Sequence, residues 1–191
     1  MKILNDTKFG PVSRYSGAHV YLVLEMLVSK GASSRATISR ELGIGEGSIR
    51  SLIEIMKGWR MVSVSRSGVE VTEDGKNAYR DIPLRMVDVG ELPGKGYLFG
   101  VVVQGIADSF TDGNAQRDLA IRYGAEEACV FALREGNMLR MDAAFEGLEE
   151  GATRKAVMTA GLKEGDLLVL LLGKDIKSAR ASAASVGIEL V

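Results

Sequence analysis

Only three residues, 43–45, separate two segments whose apolar side chains are spaced as on one face of a helix. The first segment carries Ile38 and Leu42, one helical turn apart, after Ser33 or Ser34 as the N-terminal cap. The second segment has its apolar residues at the same kind of spacing, and they are Ile49, Leu52, Ile53 and Met56. Because the short connection contains glycine, this feature predicts a helix-turn-helix.

The flanking segments extend this pattern. An earlier helix is predicted from His19 to Ser29, with an apolar stripe of Val20, Val23, Leu24 and Leu27. Two alternating strands, 61–64 and 69–71, flank a turn that ends in Gly68, and a last helix is predicted from Thr72 to Ile82. This order is typical of a winged helix, whose third helix enters the major groove of DNA while the hairpin tip lies over an adjacent groove or the backbone.

The stretch 41–78, ELGIGEGSIRSLIEIMKGWRMVSVSRSGVEVTEDGKNA, also resembles the winged-helix regulators of archaea and bacteria. The similar features are the turn and helix LGIGEGSIR, the hairpin that ends in Gly68, and the VTEDGK sequence that follows it. With its C-terminal half included, the chain resembles an archaeal family of winged-helix proteins whose second domain is uncharacterised. The resemblance implies a DNA-binding regulator of transcription.

The candidates for DNA contact are the polar and small residues on the exposed side of this motif. Arg50 on the third helix is the candidate for base contacts, and Arg66 at the hairpin tip is the candidate for a phosphate or a minor groove. The alternative for each arginine is an ordinary solvated charge, and Ser48 either contacts DNA or helps to begin its helix. The other candidates are Arg35, Arg40, Gly47, Ser51 and Lys57.

Charge supports this hypothesis only weakly. Residues 1–82 hold 12 Lys and Arg against 9 Asp and Glu, a net charge of +3, and the remainder holds 12 against 16, a net charge of −4. Glu54 on the exposed side either accepts from a cytosine amino group or pairs with Arg50 one turn earlier, the simpler interpretation. The acids Glu46 and Glu54 keep an alternative open, a winged helix that binds proteins or RNA without operator specificity.

The sequence pattern of the second half of the chain predicts a separate α/β domain. Pro83 and Pro93 predict a partly ordered linker, 83–95, between a winged-helix domain, 1–82, and a second domain, 96–191. The pattern predicts strands over 97–103, 128–133, 138–141, 167–172 and 188–191, and helices over 112–123, 149–162 and 175–186. Because stretches 96–125 and 165–188 repeat one order of elements, we expect an α+β protein whose second domain has two strand-helix-strand units sharing one sheet.

The second domain also carries a candidate ligand site. The polar segment 104–118 precedes a helix N-terminus, where backbone N–H groups favour an anion, although it lacks the spacing of both common nucleotide-binding loops. The alternative is that Asp112 caps the helix while Arg117 and Asp118 form surface or intersubunit ion pairs. An Arg-Asp pair at this helix start resembles a recurring feature of the archaeal family. The ligand-binding candidates are therefore Asp112, Gln116, Arg117 and Asp118.

The remaining composition argues against several other classes of protein. One histidine and one distant cysteine, Cys129, make no metal-ligand set, and no spacing of nucleophile and base stands out, so we expect no enzyme, no metal and no cofactor. Cys129 lies in an apolar run, where we expect a buried, reduced thiol. The apolar runs are too short to cross a bilayer, and no secretory signal is visible. We expect a cytoplasmic protein that binds double-stranded DNA and whose second domain senses a small effector, forms a homodimer, or does both.

Overall fold

The computed structural model describes residues 15–142 and 150–191, which divide between Ile82 and Pro83 into two compact units. The described residues form a mixed α/β protein with seven α-helices and two antiparallel sheets, one of two strands and one of five. No helix among them is long and apolar enough to cross a membrane. Each unit is described by itself below.

The first unit, which ends at Ile82, contains four helices and a β-hairpin. Its elements are α1 (Gly17–Lys30), α2 (Arg35–Leu42), α3 (Glu46–Gly58), β1 (Val62–Ser65), β2 (Gly68–Val71) and α4 (Glu73–Asp81). Strands β1 and β2 pair antiparallel, and Ser33 adds an isolated bridge to Val69 of β2. The core contains the predicted apolar residues of the first three helices except Leu42, which is partly buried against it, together with Val62 and Val69 of the hairpin.

Local signals account for the ends of the helices in this unit. The Ser34 hydroxyl accepts from the backbone N–H of Thr37 at the start of α2, as expected for an N-cap. Gly43 ends α2 in the left-handed conformation, at φ 71° and ψ 20°. Thr72 caps α4 by accepting from the N–H of Gly75, 3.1 Å away. Since α2 ends at Gly43 and α3 begins at Glu46, the connection between these two helices is short.

The second unit, from Pro83 onward, is built on the five-stranded sheet. Its elements are β3 (Leu84–Leu92), β4 (Gly96–Val103), a 3-10 turn (Ala107–Ser109), α5 (Asn114–Arg122), β5 (Glu127–Arg134), β6 (Asn137–Arg140), α6 (Glu150–Ala160), β7 (Leu167–Gly173) and α7 (Ile176–Glu189). The strand order is β3-β4-β7-β5-β6, and every neighbouring pair is antiparallel. Strand β7 is central, which explains why all seven of its residues are buried.

Helices cover both faces of this sheet. Helix α6 packs on the face that carries Leu98, Cys129, Leu168 and Leu170. Helices α5 and α7 pack on the other face, where a side chain at Gly187 of α7 would meet Val101 of β4 at 2.8 Å. The close approach of α7 to the sheet therefore depends on a residue without a side chain at this position.

The second unit differs from the sequence prediction in three respects. The segment predicted as a linker, 83–95, contains β3, an edge strand of nine residues. Strand 188–191 does not form, because α7 continues to Glu189, so the second of the two predicted strand-helix-strand units lacks its last strand. The first of the two predicted strand-helix-strand units exists as β4, α5 and β5. Strand β7 lies between its two strands, however, and pairs antiparallel with both of them.

Candidate nucleic-acid interface

The buried side of α3 determines which of its residues can contact a partner. Ile49, Leu52, Ile53 and Met56 are all fully buried against the core of the first unit. On a helix of 3.6 residues per turn, burial of one stripe leaves the opposite side exposed to solvent. We call that side the outer face of α3, and it consists of Gly47, Arg50, Ser51, Glu54 and Lys57.

The leading half of the outer face is narrow and carries a single cation. A side chain at Gly47 would meet no other atom within 4 Å, so the backbone is accessible there. The Ser51 hydroxyl donates to the Gly47 carbonyl oxygen at 3.2 Å, and Ser48 is half-buried. Arg50 is exposed, and within residues 15–142 and 150–191 it has no hydrogen-bond or ion-pair partner. Its guanidinium is therefore available to an external acceptor.

Glu54 lies between two other candidate cations. One of its carboxylate oxygens is 3.7 Å from Nη2 of Arg35 on α2, and the other is 3.9 Å from Nζ of Lys57. The expected ion pair between Glu54 and Arg50 does not form, so that interpretation was wrong. On a helix, an acid that follows its cation by four residues is the less favourable order of the two. Arg40, at the end of α2, is exposed.

The hairpin tip, Ser65–Gly68, presents Arg66 to solvent. Glu70 on β2 organises this turn, since it accepts from the Ser65 hydroxyl at 3.1 Å and from the Ser67 hydroxyl. Hydrogen bonds from Ser67 and Ser65 lower the pKa of the Glu70 carboxyl below its usual value. This role of Glu70 was not predicted from the sequence, although two serines and an acid within six residues of a predicted hairpin were a usable signal.

Gly68 fixes the hairpin to the rest of the first unit. It has φ 126°, and a Cβ there would lie 2.7 Å from the carbonyl oxygen of Ser33. Backbone bonds between Ser33 and Val69 run in both directions, at 3.0 and 2.9 Å. The glycine that the sequence assigned to the turn therefore also permits contact between the hairpin and the segment before α2.

The four ligand-binding candidates of the second unit do not converge on one place. Gln116 is buried, whereas Asp118 is exposed, and Arg117 pairs with Glu127 at 3.5 Å and with Asp118 at 3.9 Å. Asp112 accepts from the N–H of Asn114, 3.0 Å away, and helix α5 begins two residues later than predicted. Successive helical residues point about 100° apart, which explains why neighbours in sequence do not share one site.

Other titratable residues of the second unit have structural partners. Arg134 donates to the carbonyl oxygens of Ala107 and Phe110, and Asp166 accepts from the N–H groups of Gly105 and Lys163. These contacts fix the loop between β4 and α5. Burial raises the pKa of the Cys129 thiol to about 12, so this cysteine is a poor nucleophile. In the described part of the chain, no group of His, Cys, Asp and Glu could hold a metal ion.

Comparisons with known proteins identify the second unit better than the first. A family model described as a domain of unknown function, DUF4443, matches residues 95–190, which is 96 of the 191 residues. The structure is similar to that of the hypothetical protein PH0730 from Pyrococcus horikoshii OT3, with a TM-score of 0.72, 20% identity and 92% of each chain covered. No curated protein matches the chain. By the match over half of its length, the chain belongs to the DUF4443 family.

Proposed function

We propose that the first unit is a winged helix that binds double-stranded DNA, and that the protein regulates transcription. The observation that carries the proposal is the exposed outer face of α3, where Arg50 has no partner among the described residues. An arginine in that position can donate two hydrogen bonds to guanine in the major groove. Gly47, one turn earlier, lets the backbone approach the base edges.

The hairpin supplies a second contact in this proposal. A β-hairpin beside a helix-turn-helix can reach the phosphate backbone or a minor groove while the third helix occupies the major groove. Arg66 is exposed at the hairpin tip, and Glu70 orders the turn that carries it. Arg40, exposed at the end of α2, is the candidate for a further phosphate contact.

For the second unit we propose dimerisation, binding of a small effector, or both. A dimer would space two winged helices across a two-fold operator. The support for an effector is the Gln116 side chain, which is 5% exposed and whose Oε1 is buried with no hydrogen-bond partner among the residues that the structure describes. Buried acceptors are rarely left unpaired in native proteins, because an unpaired acceptor destabilises the fold. A ligand that donates a hydrogen bond to this amide oxygen would remove that free-energy penalty.

Selection from a pool of random duplexes tests the proposal directly. We expect the full chain to enrich one sequence, with two half-sites if it dimerises, and the affinity to fall steeply as salt is raised. A parallel selection with Arg50→Ala controls for contacts outside α3. Equal recovery of all sequences by the wild-type protein would contradict operator recognition.

A second candidate function is an interaction module for RNA or protein. The observation that favours it is the acidic character of α3, with Glu46 in its first turn and Glu54 on its outer face. Competition of a labelled duplex by structured RNA separates the two. Displacement by RNA at a lower concentration than by unlabelled duplex would favour the second candidate.

A further inference from the structure

The carboxylate of Glu54 is the one anion on the outer face of α3. It lies between Arg35 and Lys57, at 3.7 and 3.9 Å, and the three side chains are 54%, 39% and 56% exposed. Ion pairs that are this long and this exposed contribute little and exchange readily with solvent or other ions. In the protein without DNA, Glu54 therefore balances the charge of two cations that its surface offers to a phosphate.

A duplex would change these partners. Phosphates attract Arg35 and Lys57 strongly, because each contact releases condensed counterions. Once both cations turn to phosphates, Glu54 is left as an unpaired anion next to a polyanion. In the major groove, the base group that a carboxylate recognises is the amino group of cytosine, which donates a hydrogen bond.

We infer that Glu54 is a specificity-determining residue, which penalises every duplex that does not place a cytosine amino group opposite α3. This inference rests on the proposed function, since it assumes that α3 faces the major groove. It assigns Glu54 a partner class, a C·G pair at one position of the site. It also explains why a DNA-binding surface would keep an acid among its few cations, because the acid suppresses binding to unrelated sequences.

The test compares Glu54→Gln with Glu46→Gln, which removes the same charge from the first turn of the same helix. Affinity is measured for the selected duplex and for a random duplex of equal length. We expect Glu54→Gln to raise affinity for the random duplex roughly threefold to tenfold, with a smaller change for the selected one. Repeating the selection with Glu54→Ala should then lose one cytosine from the enriched sequence.

The outcomes separate this inference from the proposed function. If Glu54→Gln changes both affinities by the same factor, as expected for Glu46→Gln, or if Glu54→Ala still enriches the cytosine, the role of Glu54 is refuted while DNA binding stands. If the wild-type protein binds no duplex, the proposed function and this inference fail together. Thermal unfolding of each variant shows whether it is folded, and both glutamates are exposed, so no loss of fold is expected.

Discussion

Glu54 joins α3 to α2 through Arg35, whose Nη2 lies 3.7 Å from the Glu54 carboxylate. Glu54 also pairs with Lys57, and it does not pair with Arg50, which lies one turn earlier on α3. Arg50 is exposed and lacks a partner throughout the part of the chain that the structure describes. Of the two cations on the outer face of α3, Arg50 is therefore more available to a ligand than Lys57, which pairs with Glu54.

Replacing Arg50 should weaken binding to the selected duplex most. We expect Arg50→Ala to cost about 1–3 kcal/mol and to relax the preference at one base pair, because the proposed bidentate contact to guanine would be lost. Fluorescence anisotropy with matched and mismatched duplexes measures both effects. Arg122→Ala, an equal charge change at an exposed position of α5 in the second unit, is the control. An identical loss for both variants would mean that only net charge matters.

Replacing Arg66 should have a different signature. A phosphate contact at the hairpin tip carries no sequence information, so Arg66→Ala should weaken all duplexes alike. For Arg66→Ala, the slope of log affinity against log salt concentration should fall in magnitude by about 1. Arg66→Lys keeps the charge and should retain most of the wild-type slope. Titrations at four salt concentrations check this. An unchanged slope would place Arg66 away from the duplex.

Gly75→Ala should destabilise the first unit. A Cβ at this position in α4 would overlap the carbonyl oxygen of Met61 and lie 2.9 Å from Cγ2 of Val71. Because backbone must move to admit it, we expect a loss of roughly 1–3 kcal/mol in the free energy of unfolding. Gly58→Ala is the control, since its Cβ would meet no atom within 4 Å. Urea unfolding followed by circular dichroism compares them, and equal midpoints would refute the clash.

The stability of the first unit should fall in mild acid because of His19. Burial lowers the pKa of His19 below its usual 6.5, and its Nδ1 accepts from the backbone N–H of Ser16 at 3.0 Å. As pH falls, His19 therefore takes up a proton in the unfolded chain before it does so in the folded protein. The contribution of His19 to the free energy of unfolding is fully present above about pH 6.5 and declines below it. Protonation also removes the acceptor for the Ser16 N–H. Urea midpoints between pH 5 and 8 measure this, with His19→Gln expected to show a flatter profile.

Gln116→Leu should stabilise the second unit if no ligand is bound. The change replaces a buried amide oxygen, which has no partner in 15–142 or 150–191, by apolar atoms of similar size, and so removes an unsatisfied acceptor. We expect a gain of about 1 kcal/mol in the free energy of unfolding. Thermal unfolding with and without a library of small metabolites is the measurement. A lower melting temperature for the variant would indicate that the amide has a partner in solution.

The sequence alone determined the elements of the first unit, because their signals are local. Helical spacing of apolar residues, the Ser34 and Thr72 caps, and Gly43 in the left-handed conformation each act within a few residues. The exposed position of Arg50 followed from the same periodicity. The partner of Glu54 did not, since Arg35 lies on another helix and only packing of α2 against α3 brings them together.

The second unit depended on contacts between residues far apart in sequence. Strand β3 escaped prediction because its buried side chains do not alternate: Leu84 and Val87 are three residues apart, and a bulge follows between Asp88 and Gly90. Gly187 directly follows the predicted helix 175–186, but it lies within α7 and allows close packing on Val101 and Leu84. The position of β7 between β4 and β5 is a matter of strand pairing, which a local pattern does not encode. Local chemistry therefore decided most of the helices and strands. Tertiary packing decided that 84–92 is a strand, that 188–191 is not one, and which strands became neighbours.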